Sequence, residues 1–308
     1  MTPINRTTFR QKIKSYRRQP LSLLLLSLVV LSAVITMCIV LSLIVYILVK
    51  GVPHLTPELF AWEYNSENVS MMPAIINTVL VTAATLILAV PVGVFSAIYM
   101  VEYAKRGNKL VKAVRLTTET LQGIPSIVFG LFGNIVFVFT LGWGQCFLAG
   151  VITLAIMVLP LIMRTTEEAL KSVPDSYREG SFGLGAGRLR TVFKVVLPSA
   201  VPGILAGVIL AIGRIVGETA ALIFTAGTIA KIPKSPFDSC RTLAIHMYAL
   251  LNEGLYMNQA YATAVVLLVV VILINALSGY VAKRVGVKKL GVNFPFRTWT
   301  CTMGISRP

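Results

Sequence analysis

Charge is scarce in this chain, and negative charge scarcest: 13% of the 308 residues are charged, with 12 Asp and Glu against 28 Lys and Arg. A soluble domain carries about 25% charged residues, so a water-dispersed globule is excluded. Histidine occurs twice, at His54 and His246, and cysteine at Cys38, Cys146, Cys240 and Cys301, far apart and without a Cys-x-x-Cys pair. Such spacing offers neither a metal cluster nor a disulfide framework. The dipeptide Gly-Lys is missing. The chain therefore lacks a Gly-x-x-x-x-Gly-Lys-Ser/Thr loop, whose backbone N–H groups wrap nucleotide phosphates, and ATP must be hydrolysed elsewhere if it is used at all. No nucleophile, base and acid set is visible, which makes a membrane enzyme the least favoured class, and no cofactor is expected.

What the chain has instead is apolar residues, 56% of the total with a mean hydropathy of +0.80. They come in blocks. Leu21 to Val49 is 29 residues without a charged side chain, about 43 Å as a helix against a hydrocarbon core of ~30 Å. It is read as a permanent anchor: a signal peptide has an apolar region of only ~7 to 15 residues and ends at a small-residue cleavage site, which is missing here. Further blocks run over residues 74–101 (with Pro91 inside), 124–141, 146–163, 200–226 and 261–282. Six membrane-spanning helices result, giving an all-α polytopic membrane protein. The net charge of +16 does not point to nucleic acid, because the basic residues sit between apolar blocks without aromatic interleaving; anionic lipid headgroups account for them.

Orientation follows from where Lys and Arg fall, since cytoplasmic loops retain positive charge. The arm 1–20, the connection after the second span, the connection after the fourth and the tail 283–308 together hold 23 Lys and Arg; the alternate connections hold 4. Both termini are therefore expected in the cytoplasm. No role is read for the tail after Gly286, and no internal repeat of the kind found in many secondary carriers is seen.

The cytoplasmic connection 164–199 is too patterned for a linker. Pro174-Asp175-Ser176 is a helix-start signal, Gly183, Gly185 and Gly187 interrupt the stretch that follows, and Leu189 to Leu197 resumes a helical pattern ending at Pro198. Two short helices joined by a glycine turn are predicted.

Here the sequence resembles a known family. Glu179-Gly180-Ser181, Gly185 six residues after the Glu, and Val195-Val196-Leu197-Pro198 resemble the EAA loop of ABC transporter permeases, with small residues kept where two alanines are usual. Gly123 to Gly133 (GIPSIVFGLFG), Ile98 to Tyr103, Arg164 to Glu167, and Gly213 to Thr219 (GRIVGET) followed by Phe224 to Gly227 are similar to the permeases of phosphate importers. The likeness runs over residues 75–284. It implies a type I, MetI-like ABC importer permease fold in the bacterial cytoplasmic (inner) membrane, over residues 21–282. It further implies an ATP-binding subunit dimer below, a second permease subunit alongside and an extracytoplasmic phosphate-binding protein above. Glu179, Gly180, Ser181, Gly185, Leu197 and Pro198 would then couple to the ATPase. Rival readings are an importer of another solute and, less favoured, a proton-coupled secondary carrier.

Arg214 and Glu218 are the ionisable residues well inside the predicted spans. An unpaired Arg at mid-membrane costs about 2.5 to 3.5 kcal/mol; four residues apart on one helix, the two are expected to share a face and pair. Gly203, Gly207, Gly213 and Gly217 form two Gly-x-x-x-Gly spacings on the same span, which allow close helix approach. For phosphate, a guanidinium binds oxygens in a fork and a carboxylate accepts the proton of a protonated phosphate. Arg214, Glu218 and Thr219 are thus expected to line the substrate pathway. Pro125 and Ser126, at the predicted start of the third span, are expected to present a half-helix N-terminus to an anion.

Overall fold

The computed structural model describes the backbone of residues 20–290 except Arg106 and Leu255, and side chains between Leu21 and Tyr280 apart from those two and Leu23. The arm 1–19 and the tail 291–308 lie outside the described residues. Among the described residues every regular element is a helix.

The chain divides into two units. The described part of the first is α1 (Pro20–Gly51), whose last residues belong to the other unit. Leu31, Val45 and Val49 are exposed, as are apolar side chains on every face of α1, the pattern of a helix solvated by lipid rather than packed in a core.

The second unit, residues 50–291, contains α2 (Met72–Ile98), α3 (Lys109–Gln122), α4 (Ser126–Gly133), α5 (Phe147–Lys171), α6 (Asp175–Gly183), α7 (Arg188–Thr191), α8 (Leu197–Val216), α9 (Ala220–Thr225), α10 (Leu243–Glu253) and α11 (Met257–Leu290). Wider π-type turns extend α2 through Tyr99–Tyr103, α4 through Asn134–Thr140, and join α7 to α8 through Val192–Val196. Val81 of α2, Leu154 and Ile162 of α5, Ile215 of α8 and Leu222 of α9 share one buried cluster. Because lipid is as apolar as leucine, such helices gain by close van der Waals fit, and glycines supply it. A Cβ on Gly203 would stand 2.7 Å from the Cβ of Ala169, and one on Gly207 would collide with Thr165, so α8 rides directly on α5.

Among the described residues, five helices are long and apolar enough to cross a membrane: Leu24–His54, Met72–Tyr103, Phe147–Lys171, Arg188–Val216 and Met257–Tyr280. Two predicted spans are corrected. The third, expected as one helix over 124–141, is the second arm of a pair: Lys109–Gln122 and Ser126–Thr140 are bent by 105°. Pro125 causes the break, lacking an N–H to continue α3 and steering Ile124 away from helix. Residues 126–140 span only about 22 Å, short of the hydrocarbon core, so this segment crosses only as part of a broken span. The fifth predicted span, 200–226, ends at Val216. Gly217 caps α8, and α9 restarts separately after Thr219.

Among the described residues, alternate connections lie at opposite ends. At one end, Arg115 of α3 pairs with Glu167 of α5 at 2.5 Å, and Arg178 of α6 pairs with Glu102 at 2.7 Å. At the other end, the Asn77 amide donates to the carbonyls of Lys231 and Arg241 at 2.9 and 3.1 Å, and the backbone N–H of Phe147 to Asp238 at 2.8 Å. The connections after α2 and α5 thus share one end, and those before α2, before α5 and after α9 the other.

Candidate functional site

Arg214 lies in the last turn of α8, where Gly213 carries no side chain to cover its backbone. It lines a hollow of about 500 Å³ together with Leu161 of α5, Ile209, Leu210 and Gly213 of α8, and Asn275 of α11. A Cβ on Gly213 would meet nothing nearer than Asn275 Oδ1 at 4.0 Å. The two glycine spacings therefore do different work: Gly203 and Gly207 seat α8 on α5, whereas Gly213 leaves the space that Arg214 faces.

The expected pair of Arg214 with Glu218 is not made. Helix α8 stops two residues before Glu218, so the four-residue spacing no longer places both on one helical face. The buried Glu218 carboxylate instead accepts a hydrogen bond from the Ala221 N–H at 3.1 Å, capping α9. An acid at a helix N-terminus satisfies an otherwise unpaired donor and complements the helix dipole. Thr219 occupies the N-cap position without a side-chain cap bond. Among the described residues no ion pair or hydrogen bond reaches the Arg214 side chain, so a guanidinium faces the hollow without a carboxylate.

Pro125 is the N-cap of α4 and Ser126 its first residue. Helix α4 lies against α9 through Gly130, where a Cβ would approach the Ala221 Cα to 2.7 Å. The broken span is thereby carried to the segment that follows Arg214 and Glu218. No hydrogen bond joins Ser126 to Arg214, Glu218 or Thr219 among the described residues.

The predicted hairpin is present. Helix α6 is followed by a turn in which Gly185 has φ +79°, a left-handed conformation that favours glycine, and α7 then leads into α8. Glu179 and Gly180 are exposed on α6, Ser181 is bound to Thr191 across the hairpin at 2.9 Å, and Leu197 and Pro198 open α8. Leu184 is 91% exposed at the tip, with Leu189, Tyr177 and Phe182 also exposed: an apolar knob at the end of the molecule.

The clamp under this knob was not foreseen from the sequence. Arg178, from α6, donates to Glu102 at 2.7 Å, to the Leu170 carbonyl at 3.0 Å and to the Val173 carbonyl at 2.8 Å. The hydrogen bond to Glu102 raises the pKa of Arg178 still further above its ordinary high value. Glu102 belongs to an apolar run, and a lone acid there was the available signal. Glu167 is shared by Arg115 and Lys171, 2.5 and 2.6 Å away.

Comparison with known proteins follows the same lines. Residues 89–287 match the family described as "Binding-protein-dependent transport system inner membrane component". The "Probable ABC transporter permease protein YqgI" of Bacillus subtilis (strain 168) is 33% identical over 82% of this chain and 91% of its own length. The "Phosphate transport system permease protein PstA 1" of Mycobacterium tuberculosis (strain H37Rv) is 34% identical over 68% of this chain and 70% of its own. PstA of Pasteurella multocida (strain Pm70) is 35% identical over 64% and 77%. Among solved structures, a chain of the MetNI methionine ABC transporter superposes with a TM-score of 0.54 at 22% identity over 69% of this chain and 93% of that one. A chain of a bacterial alginate ABC transporter gives 0.64 at 15% over 88% and 98%. These two likenesses show the fold.

Proposed function

The chain belongs to the family of binding-protein-dependent transport system inner membrane components, and from that premise we propose that it is a permease subunit of an ATP-driven importer of inorganic phosphate. The observation that carries the solute is Arg214, a guanidinium without a carboxylate at the wall of a hollow whose other lining, Asn275 apart, is apolar. An arginine at that depth is compensated by an anion, and its planar fork matches the oxygens of phosphate. The relatives named as phosphate permeases support the same reading.

In this account the hollow opens toward a second permease subunit, and phosphate passes between the two after delivery by an extracytoplasmic phosphate-binding protein. Arg214 contacts the phosphate; Glu218, held as the cap of α9, positions the segment Gly217–Thr219 beside it; Pro125 and Ser126 hinge the broken span that rests on α9. The hairpin end faces the cytoplasm of a bacterial inner membrane, and its knob, with Glu179, Gly180, Ser181 and Gly185, docks on an ATP-binding subunit dimer. Leu197 and Pro198 start the helix that carries Arg214, so movement of the knob is delivered directly to the pathway. PstA rather than its sister permease is the preferred counterpart.

Radiolabelled phosphate uptake by the reconstituted complex, challenged with excess sulfate and with methionine, tests the solute. Uptake that requires ATP and survives both competitors is expected. Equal competition by sulfate removes the phosphate assignment, and uptake by the purified chain alone without ATP removes the ABC mechanism.

A further inference from the structure

Ten buried side-chain nitrogen and oxygen atoms lack a hydrogen-bond partner among the described residues, and six of them lie in one place: Asn77 Oδ1, Arg241 Nε and Nη2, Thr242 Oγ1, and both ring nitrogens of His246. All four residues are at least 96% buried. Such groups are almost always satisfied in folded proteins, and a buried guanidinium without a counter-charge is the costliest of them. The Arg241 plane lies over the Tyr64 ring, 4.5 Å from its centre, and the same ring meets His246 edge-on at 6.1 Å. Stacking fixes the guanidinium but leaves its charge uncancelled.

No acid of the surrounding loops pairs with Arg241. Glu58, Glu63 and Glu67 are exposed, and Asp238 accepts from the N–H groups of Lys234 and Ser235 at 2.8 Å each. Meanwhile Arg241 and Thr242 immediately precede α10, an eleven-residue helix. Its Leu243 N–H is taken by Thr78 at 2.8 Å and its His246 N–H by the Thr242 carbonyl. The N–H groups of Ala244 and Ile245 have no acceptor among the described residues, and the Thr242 hydroxyl does not cap them. Burial drives the His246 pKa down to about 3, the Arg241 charge pushing the same way and the Val69 carbonyl opposing, so the ring is neutral, with one N–H for which the Val69 carbonyl competes.

Nε and Nη2 form the side edge of a guanidinium, the edge that grips two oxygens with parallel N–H bonds. We propose that Arg241, Thr242 and the start of α10 form a binding site for a small inorganic oxyanion of the phosphate or sulfate type, separate from Arg214, which ties together the loop 56–71, the loop 227–242 and α10. This does not rest on which solute the pathway carries.

The test uses the assembled wild-type complex. After exchange into selenate, an anomalous selenium peak is expected within hydrogen-bonding distance of Arg241 Nε and Nη2; crystals with only solvent there overturn the site. In gluconate buffer at constant ionic strength, phosphate or sulfate is expected to raise the unfolding temperature saturably. The rise should persist in Arg214→Gln and, measured in that background so that the pathway arginine does not contribute, weaken at least tenfold in apparent affinity with Arg241→Lys and vanish with Arg241→Leu. An equal response to chloride, or a response unchanged in Arg241→Lys, means screening or binding elsewhere and overturns the proposal.

Discussion

The two ends of this protein treat buried charge in opposite ways. At the hairpin end, Glu102 and Glu167 are each closed by arginine or lysine; away from it, the half-buried Arg214 and the buried Arg241 have no carboxylate partner among the described residues. A buried pair stabilises little relative to apolar packing, so its use must lie elsewhere. Here it is mechanical: Arg178 bolts the hairpin to the ends of α2 and α5. An unpaired guanidinium is the reverse case, a charge whose cost is recovered when an anion arrives.

The largest expected effect breaks the paired end. Arg178→Ala strands Glu102 in a buried position and should lower stability by about 3 to 5 kcal/mol, read as thermal unfolding of the complex. In the assembled fraction, ATP hydrolysis should continue while uptake falls. Gly207→Leu comes next: it drives a side chain into Thr165, and overpacking of this kind costs about 1 to 3 kcal/mol, visible as loss of assembled complex in membranes. Gly185→Val should cost about 1 kcal/mol, because the turn keeps φ +79° although its Cβ meets open space. Its expected signature is lost coupling with insertion retained. The smallest effect sharpens the contrast. Arg164 and Glu168 form an exposed pair, with side chains 50% and 65% accessible, and Arg164→Ala should shift stability by no more than about 0.5 kcal/mol in a denaturation curve.

Much of the fold was legible in sequence because lipid writes a simple rule: apolar runs become helices, and basic residues mark one side. The hairpin was legible for the same reason that it folds, since Pro174 and Gly185 impose local conformation. What misled was continuity. Residues 200–226 carry no charge apart from Arg214 and Glu218, and hydropathy does not reveal that Gly217 ends α8 there; the i, i+4 pairing of Arg214 with Glu218 failed with it. Pro125 was seen as a helix start, but not that the segments before and after it meet at 105°; the close approach of Gly130 to Ala221 that goes with it joins residues far apart in sequence. Contacts such as Arg178 with Glu102, 76 residues apart, carry no local pattern at all. Asn275, on the wall of the hollow, was missed for the same reason.

In the proposed function Arg214 is unpaired because it serves a transported oxyanion. The most direct measurement is phosphate uptake by complexes whose assembly is verified, comparing wild type, Arg214→Gln, Arg214→Lys and the exchange Arg214→Glu with Glu218→Arg. No uptake is expected with Gln, partial uptake with Lys, which keeps charge but loses the fork, and none with the exchange. Full uptake by assembled Arg214→Gln, or by the exchanged pair, would contradict it.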